Sequence, residues 1–160
     1  MKDGLVDYLL RNREDRAMMA SLRRGLGKVR GHPVMYPYVV LFLPDDDKKV
    51  RWHSWRYFTV AALFGYHPEH VEGRSIGEAL SRLERNDSLQ KRFTWLLDST
   101  TEELPMRLKS MVSLLKSKKI GIDYHKLFKD LSHWDHPDRF VQLAWANDFY
   151  KTTNKNQNKE

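Results

Sequence analysis

Ten basic side chains fall in two stretches of the chain that contain no acid. Residues 16–44 hold Arg16, Arg23, Arg24, Lys28 and Arg30, and residues 104–121 hold Arg107, Lys109, Lys116, Lys118 and Lys119. Between residues 45 and 98, nine acids offset nine bases. Unopposed Lys and Arg in two blocks of an otherwise balanced chain look more like the footprint of a polyanionic partner or an anionic surface than a solubility device. Lys109 and Lys116 are seven apart, which on a helix puts both on one side, two turns from each other.

Other constellations offer weaker chemistry. His67 and His70 are three apart, and His133, Asp135, His136 and Asp138 cluster within six residues. A metal needs three or four such groups converging on one point, and Asp135 and Pro137 already have work to do at a helix start, so no metal site is expected. Glu102 and Glu103 are adjacent, and adjacent helical residues do not face each other; acids in a first turn complement the helix dipole instead. Gly25-Leu26-Gly27-Lys28 lacks the spacing and the following Ser/Thr of a phosphate-cradling loop. There is no nucleophile elbow and no cysteine, which leaves no thiol nucleophile and no disulfide framework. Neither an enzyme nor a cofactor is expected.

The elements that must carry these residues are helices. Ser75-Ile76-Gly77-Glu78 and Thr100-Thr101-Glu102-Glu103 are capping boxes, the second with Pro105 in the first turn. Asp87 and Asp123 read as N-caps, Asp135 or His136 precedes Pro137 near another helix start, and Gly65 and Gly121 stand where C-terminal caps belong. Helices are predicted at about 4–11, 14–26, 33–43, 51–64, 76–85, 88–98, 101–117, 124–133 and 137–150. The fold class is therefore all-α, a compact bundle of about eight or nine helices in one domain over 1–150. Loop 44–50 is the candidate division into two helical layers, and 151–160 is a disordered tail.

In helix 101–117, Leu104, Leu108, Met111, Val112 and Leu115 make one apolar stripe. Lys109 and Lys116 flank it on one side and Arg107 on the other. Ser110, Ser113 and Ser117 lie opposite, a row of small hydroxyls that either lets a phosphate backbone or a partner helix come close or is an ordinary solvated face. In helix 14–26, Met19, Leu22 and Leu26 form the buried stripe. Trp52, Trp55, Tyr57 and Phe58 suit a core more than base stacking. Arg51 and Arg56 beside them either snorkel or meet phosphate.

With 160 residues, 41% hydrophobic and 31% charged, the composition is that of a soluble globular protein rather than a disordered one. The net charge of +7 agrees with a polyanionic partner. Acids interrupt the amino terminus, and the longest apolar run, Tyr38 to Leu43, is far too short for a bilayer. A cytoplasmic protein without membrane contact is expected.

Several motifs together resemble one family. They are Ser21-Leu22-Arg23-Arg24-Gly25, Phe93-Thr94-Trp95-Leu96-Leu97, Thr101-Glu102-Glu103-Leu104-Pro105, Val112-Ser113-Leu114-Leu115-Lys116-Ser117-Lys118, Ile122-Asp123-Tyr124, and the close from Leu131-Ser132-His133-Trp134 through Asp138-Arg139 to Asp148-Phe149-Tyr150. The chain resembles the small subunit of the type I-E CRISPR surveillance complex Cascade, the CasB family, over most of 14–150 and most strongly over 93–150. Residues 28–50 match poorly. The resemblance implies a non-catalytic, all-helical protein in antiviral defence that dimerises within an RNA-guided complex. It contacts other Cascade subunits and, through basic surfaces, the guide RNA, the target strand and the displaced strand. Base pairing reads the sequence in such systems, so the protein need only supply positive, shape-tolerant surface.

Carried over by motif, the nucleic-acid-binding residues are Arg23, Arg24, Arg92, Lys109, Lys116, Lys118 and Arg139. Arg107 stands where relatives often have another polar residue. Arg51, Arg56, Arg74 and Lys119 are added from charge and position. The alternative is a free-standing helical DNA- or RNA-binding regulator, which would need a recognition helix dense in base-reading side chains. Helix 101–117 has no Asn or Gln. A pure protein scaffold would leave the acid-free segments incidental.

Overall fold

Every regular element among the described residues is helical, in agreement with the all-α expectation. The structure is a computed structural model that describes residues 4–158, with side chains described for 4–46 and 53–151. Two compact units divide between Pro68 and Glu69.

The first unit holds α1 (Leu5–Arg11), α2 (Arg16–Arg23), α3 (Tyr36–Val39) and α4 (Asp47–Tyr66). Asp15 caps α2 by accepting from the Met18 amide at 3.0 Å. Met18, Met19 and Leu22 turn inward against the long α4, whose Phe58 and Val60 to Phe64 are buried. The expected helix 33–43 is broken into a 3-10 turn (Pro33–Met35), the four-residue α3 and a second 3-10 turn (Val40–Phe42). Pro33 and Pro37 supply no N–H for a longer ladder. Gly65, expected to end its helix, lies instead inside the last turn of α4. A Cβ there would stand 2.7 Å from Leu22 Cβ and 3.0 Å from the Met19 carbonyl, so the glycine lets α2 and α4 close on each other. Expected to start at 51, α4 takes in residues 47–50 as well.

The second unit holds α5 (Ile76–Ser81), α6 (Asp87–Leu97), α7 (Leu104–Ser117), α8 (Tyr124–Leu131) and α9 (Phe140–Asn158). α5 lies against α9, with Ser75 Oγ donating to Asp148 Oδ2 at 2.6 Å while also accepting from the Glu78 amide. α6 pairs with α7. Aromatic pairs Phe93–Phe149 (4.3 Å) and Trp134–Trp145 (5.1 Å) fill the centre. The Thr100–Glu103 capping box forms in both directions, at 2.9 and 3.2 Å.

Several helix ends differ from expectation. Asn86, not Asp87, caps α6, its Oδ1 accepting from the Leu89 amide at 2.8 Å. The last helix starts at Phe140 rather than 137, after a turn in which Arg139 takes φ +54°. α7 ends in a Schellman motif: the Ile120 amide donates to the Leu115 carbonyl at 2.9 Å and the Lys119 amide to the Lys116 carbonyl at 3.1 Å. The left-handed position there is Lys119, φ +58°, not Gly121. Gly121 instead gives close approach, since a Cβ would meet the Glu69 carbonyl at 2.7 Å. α9 runs on to Asn158.

Candidate nucleic-acid interface

The buried stripe of α7 is the one its spacing implies: Leu104, Leu108, Met111, Val112 and Leu115 are all buried. Around it the helix has two unlike flanks. One faces α6. There Arg107 Nη1 donates to the Trp95 carbonyl at 2.7 Å and its Nη2 pairs with Glu103 at 3.6 Å. On the same flank Arg92 reaches across from α6 to the Ser110 carbonyl and hydroxyl. The 3.6-residue period puts Lys109 and Lys116 on the flank away from these contacts.

The serine row opposite the core is therefore not a set of free hydroxyls. Ser110 is held by Arg92, Ser113 Oγ donates to the Lys109 carbonyl at 2.9 Å, and Ser117 Oγ to the Leu114 carbonyl at 2.7 Å. Hydroxyls turned back on their own helix are the usual answer to a mid-helix serine.

The twelve selected cations divide by what holds them. Arg92, Arg107 and Arg139 all serve the α6–α7 region, with Arg139 Nη2 on the Leu97 carbonyl at 2.7 Å, at the carbonyl end of α6. A cation there satisfies orphan carbonyls and meets the negative end of the helix dipole. Arg23 does the same for α4 within the first unit, donating to the Gly65 carbonyl at 3.1 Å. Arg56 is half-buried over the Tyr57 ring, 5.0 Å away, and burial lowers its pKa. Arg74 is half-buried, with its Nε enclosed. The Arg51 side chain lies outside the described residues.

That leaves the solvent-facing cations. Lys116, Lys118 and Lys119 are exposed, and Lys109 is half-exposed. Among the described residues the side chains of Lys109, Lys118 and Lys119 make no hydrogen bond or ion pair. In the first unit, Arg24 approaches His32 Nε2 at 3.3 Å. Local desolvation first, then the charges of Arg24 and Lys28, lower the His32 pKa.

Sequence reasoning alone misses Lys126 and Lys129, both exposed on α8; their i, i+3 spacing is the available signal. It also misses Arg85, whose guanidinium sits 4.3 Å above Phe149 and donates to that residue's carbonyl at 3.4 Å. Two of the histidines hold backbone amides: His70 Nδ1 accepts from the Tyr124 amide at 3.2 Å, and His136 Nδ1 from the Asp138 amide at 3.1 Å. Among the described residues no three His, Asp or Glu side chains are grouped to hold a metal, and no helix is long and apolar enough to cross a membrane.

A family model described as CRISPR-associated protein Cse2 matches residues 18–150. The CRISPR-associated protein Cse2 of Thermus thermophilus is 32% identical over 154 residues, covering 92% of this chain and 89% of its own. The crystal structure of CasB from M. ruber superposes with a TM-score of 0.85 at 34% identity, over 98% of this chain and 95% of that one. CasB from Thermus thermophilus superposes at 0.79 with 32% identity, over 92% and 96%. A chain of a CRISPR RNA-guided surveillance complex shares the fold, with a TM-score of 0.80 at 23% identity over 97% and 94%. With α7 and its basic flank falling inside the matched segment, the chain belongs to the CRISPR-associated protein Cse2 family.

Proposed function

We propose that this chain is the non-catalytic small subunit of an RNA-guided CRISPR surveillance complex. In this reading α7 and the turn after it contact the sugar-phosphate backbone of the nucleic acid the complex holds: guide RNA, target strand or displaced strand. Other subunits of the complex and a second copy of this chain are its protein partners. One observation carries the reading: Lys109 and Lys116 project from the flank of α7 that does not face α6, and Lys118 and Lys119 stand exposed at its end, all in a segment without acids. Lysines of this kind act as mobile point charges against phosphate and carry no base preference. Arg92 and Arg107 support the same surface by tying α6 and α7 together, and Arg139 closes the carbonyl end of α6.

Counterion release gives the test. Each lost phosphate contact reduces the slope of log K against log salt by about 0.7 on single strands and about 0.9 on duplex. Lys109→Ala with Lys116→Ala is expected to weaken binding of two unrelated strands equally and to flatten the slope by about one to two units. Unchanged affinity and slope would refute the surface. Loss on one sequence alone would favour the free-standing regulator.

A further inference from the structure

We propose that a groove between the first turn of α6 and the last turn of α7 seats one unpaired base of a single strand. The inference rests on the backbone-contacting reading of α7 and names the form of nucleic acid that this surface prefers.

The groove encloses about 230 Å³. Leu83, Leu89 and Leu114 line it, while Arg92 and Lys118 bring positive charge to it. A bare phosphate has no use for three leucines, and a paired, stacked duplex offers no base face to them. A splayed nucleotide uses both: its base covers the apolar side chains and its phosphate meets a cation. Lys118 is exposed and without an ion pair among the described residues, so its charge is unspent. The Arg92 guanidinium is already fixed on Ser110, which makes that side of the groove rigid. Glu84 also lines the groove and would repel a phosphate, so the strand's charge must lie toward Lys118. Asn86 spends its Oδ1 on the Leu89 amide and keeps its side-chain nitrogen as a donor for a base edge.

The test compares fluorescence anisotropy titrations of the full chain with a mixed-sequence single strand and with an abasic deoxyribose-phosphate strand of the same length. The wild type is expected to bind the base-bearing strand about tenfold more tightly, the order that covering a few tens of Å² of leucine surface contributes. Ser88→Leu and, separately, Ser117→Leu fill the groove from exposed positions, and each is expected to erase that preference while leaving the salt slope alone. Equal binding of both strands by the wild type with a steep salt slope overturns the base site and leaves the phosphate surface standing. Retention of the preference by both folded variants overturns it too. A flat salt dependence on both strands overturns the parent reading, and the base site with it.

Discussion

Arg139 Nη2 lies 2.7 Å from the Leu97 carbonyl, so a side chain from the turn before α9 closes the carbonyl end of α6. The residue that does this sits at φ +54°, a conformation that disfavours any side chain bearing a Cβ. Arg139→Ala is expected to lower stability by about 1–2 kcal/mol, because a charge-assisted bond to an orphan carbonyl is lost and the backbone cost stays. Arg139→Gly loses the same bond but relieves the backbone, so it should cost less than alanine. Urea unfolding of both variants tests the order, and the reverse order would show that the left-handed turn carries no penalty.

Lys119 offers the same contrast at a position proposed to meet nucleic acid. It occupies the left-handed position of the Schellman motif that ends α7, where glycine is the favoured residue. Lys119→Gly is expected to raise stability by about 0.5–1 kcal/mol. The same change should reduce the salt slope of nucleic-acid binding by about 0.7 to 0.9. Stability and binding then move in opposite directions, which thermal melts and salt titrations on one preparation would reveal.

A methyl group at Gly77 would stand 2.1 Å from the Trp145 carbonyl, a backbone atom that cannot rotate away. Gly77→Ala must push α5 off α9 and is expected to cost about 1–3 kcal/mol, as overpacking of a core does. Gly4→Ala, which meets nothing within 4 Å, is the control. Similar melting temperatures for the two would contradict the close crossing.

Asp130 accepts from the Trp145 indole at 2.8 Å, and burial raises its pKa against the pull of that bond and of Lys126 and Lys129. A carboxyl with a raised folded pKa holds its proton more tightly folded than unfolded, so its ionisation takes stability away as pH rises through the carboxylate range. Asp130→Asn keeps an acceptor for the indole and removes the ionisation. The variant should gain on wild type in urea midpoint as pH rises through the ordinary carboxylate range and above it. A gain that shrinks as pH rises would reverse the assigned direction.

What the sequence made legible was local. The Thr100–Glu103 capping box, the Asp123 cap and the α7 stripe are written in residues three or four apart, and all three form. Contacts across the fold left no such trace. Gly65 looks like a helix stop until Leu22, 43 positions earlier, is found against it. The bonds of Arg92, Arg107 and Arg139 within the fold were equally hidden, because each reaches a main-chain carbonyl and every residue has one. Asn86 and Asp87 are both good caps, and the chain's entry angle decides between them.

The split between braced arginines and solvent-facing lysines bears on how this surface can drift as its relatives diverge. A guanidinium bound to Ser110 or to the Trp95 carbonyl works through a planar fork at fixed reach, and an ammonium cannot replace it without losing a bond. A lysine whose task is a diffuse attraction carries no such demand. If the proposed backbone contact holds, Lys109 and Lys118 can exchange with arginine, or shift by a residue or a turn, while the potential they create persists. The charge can wander over α7; the clamps beneath it cannot.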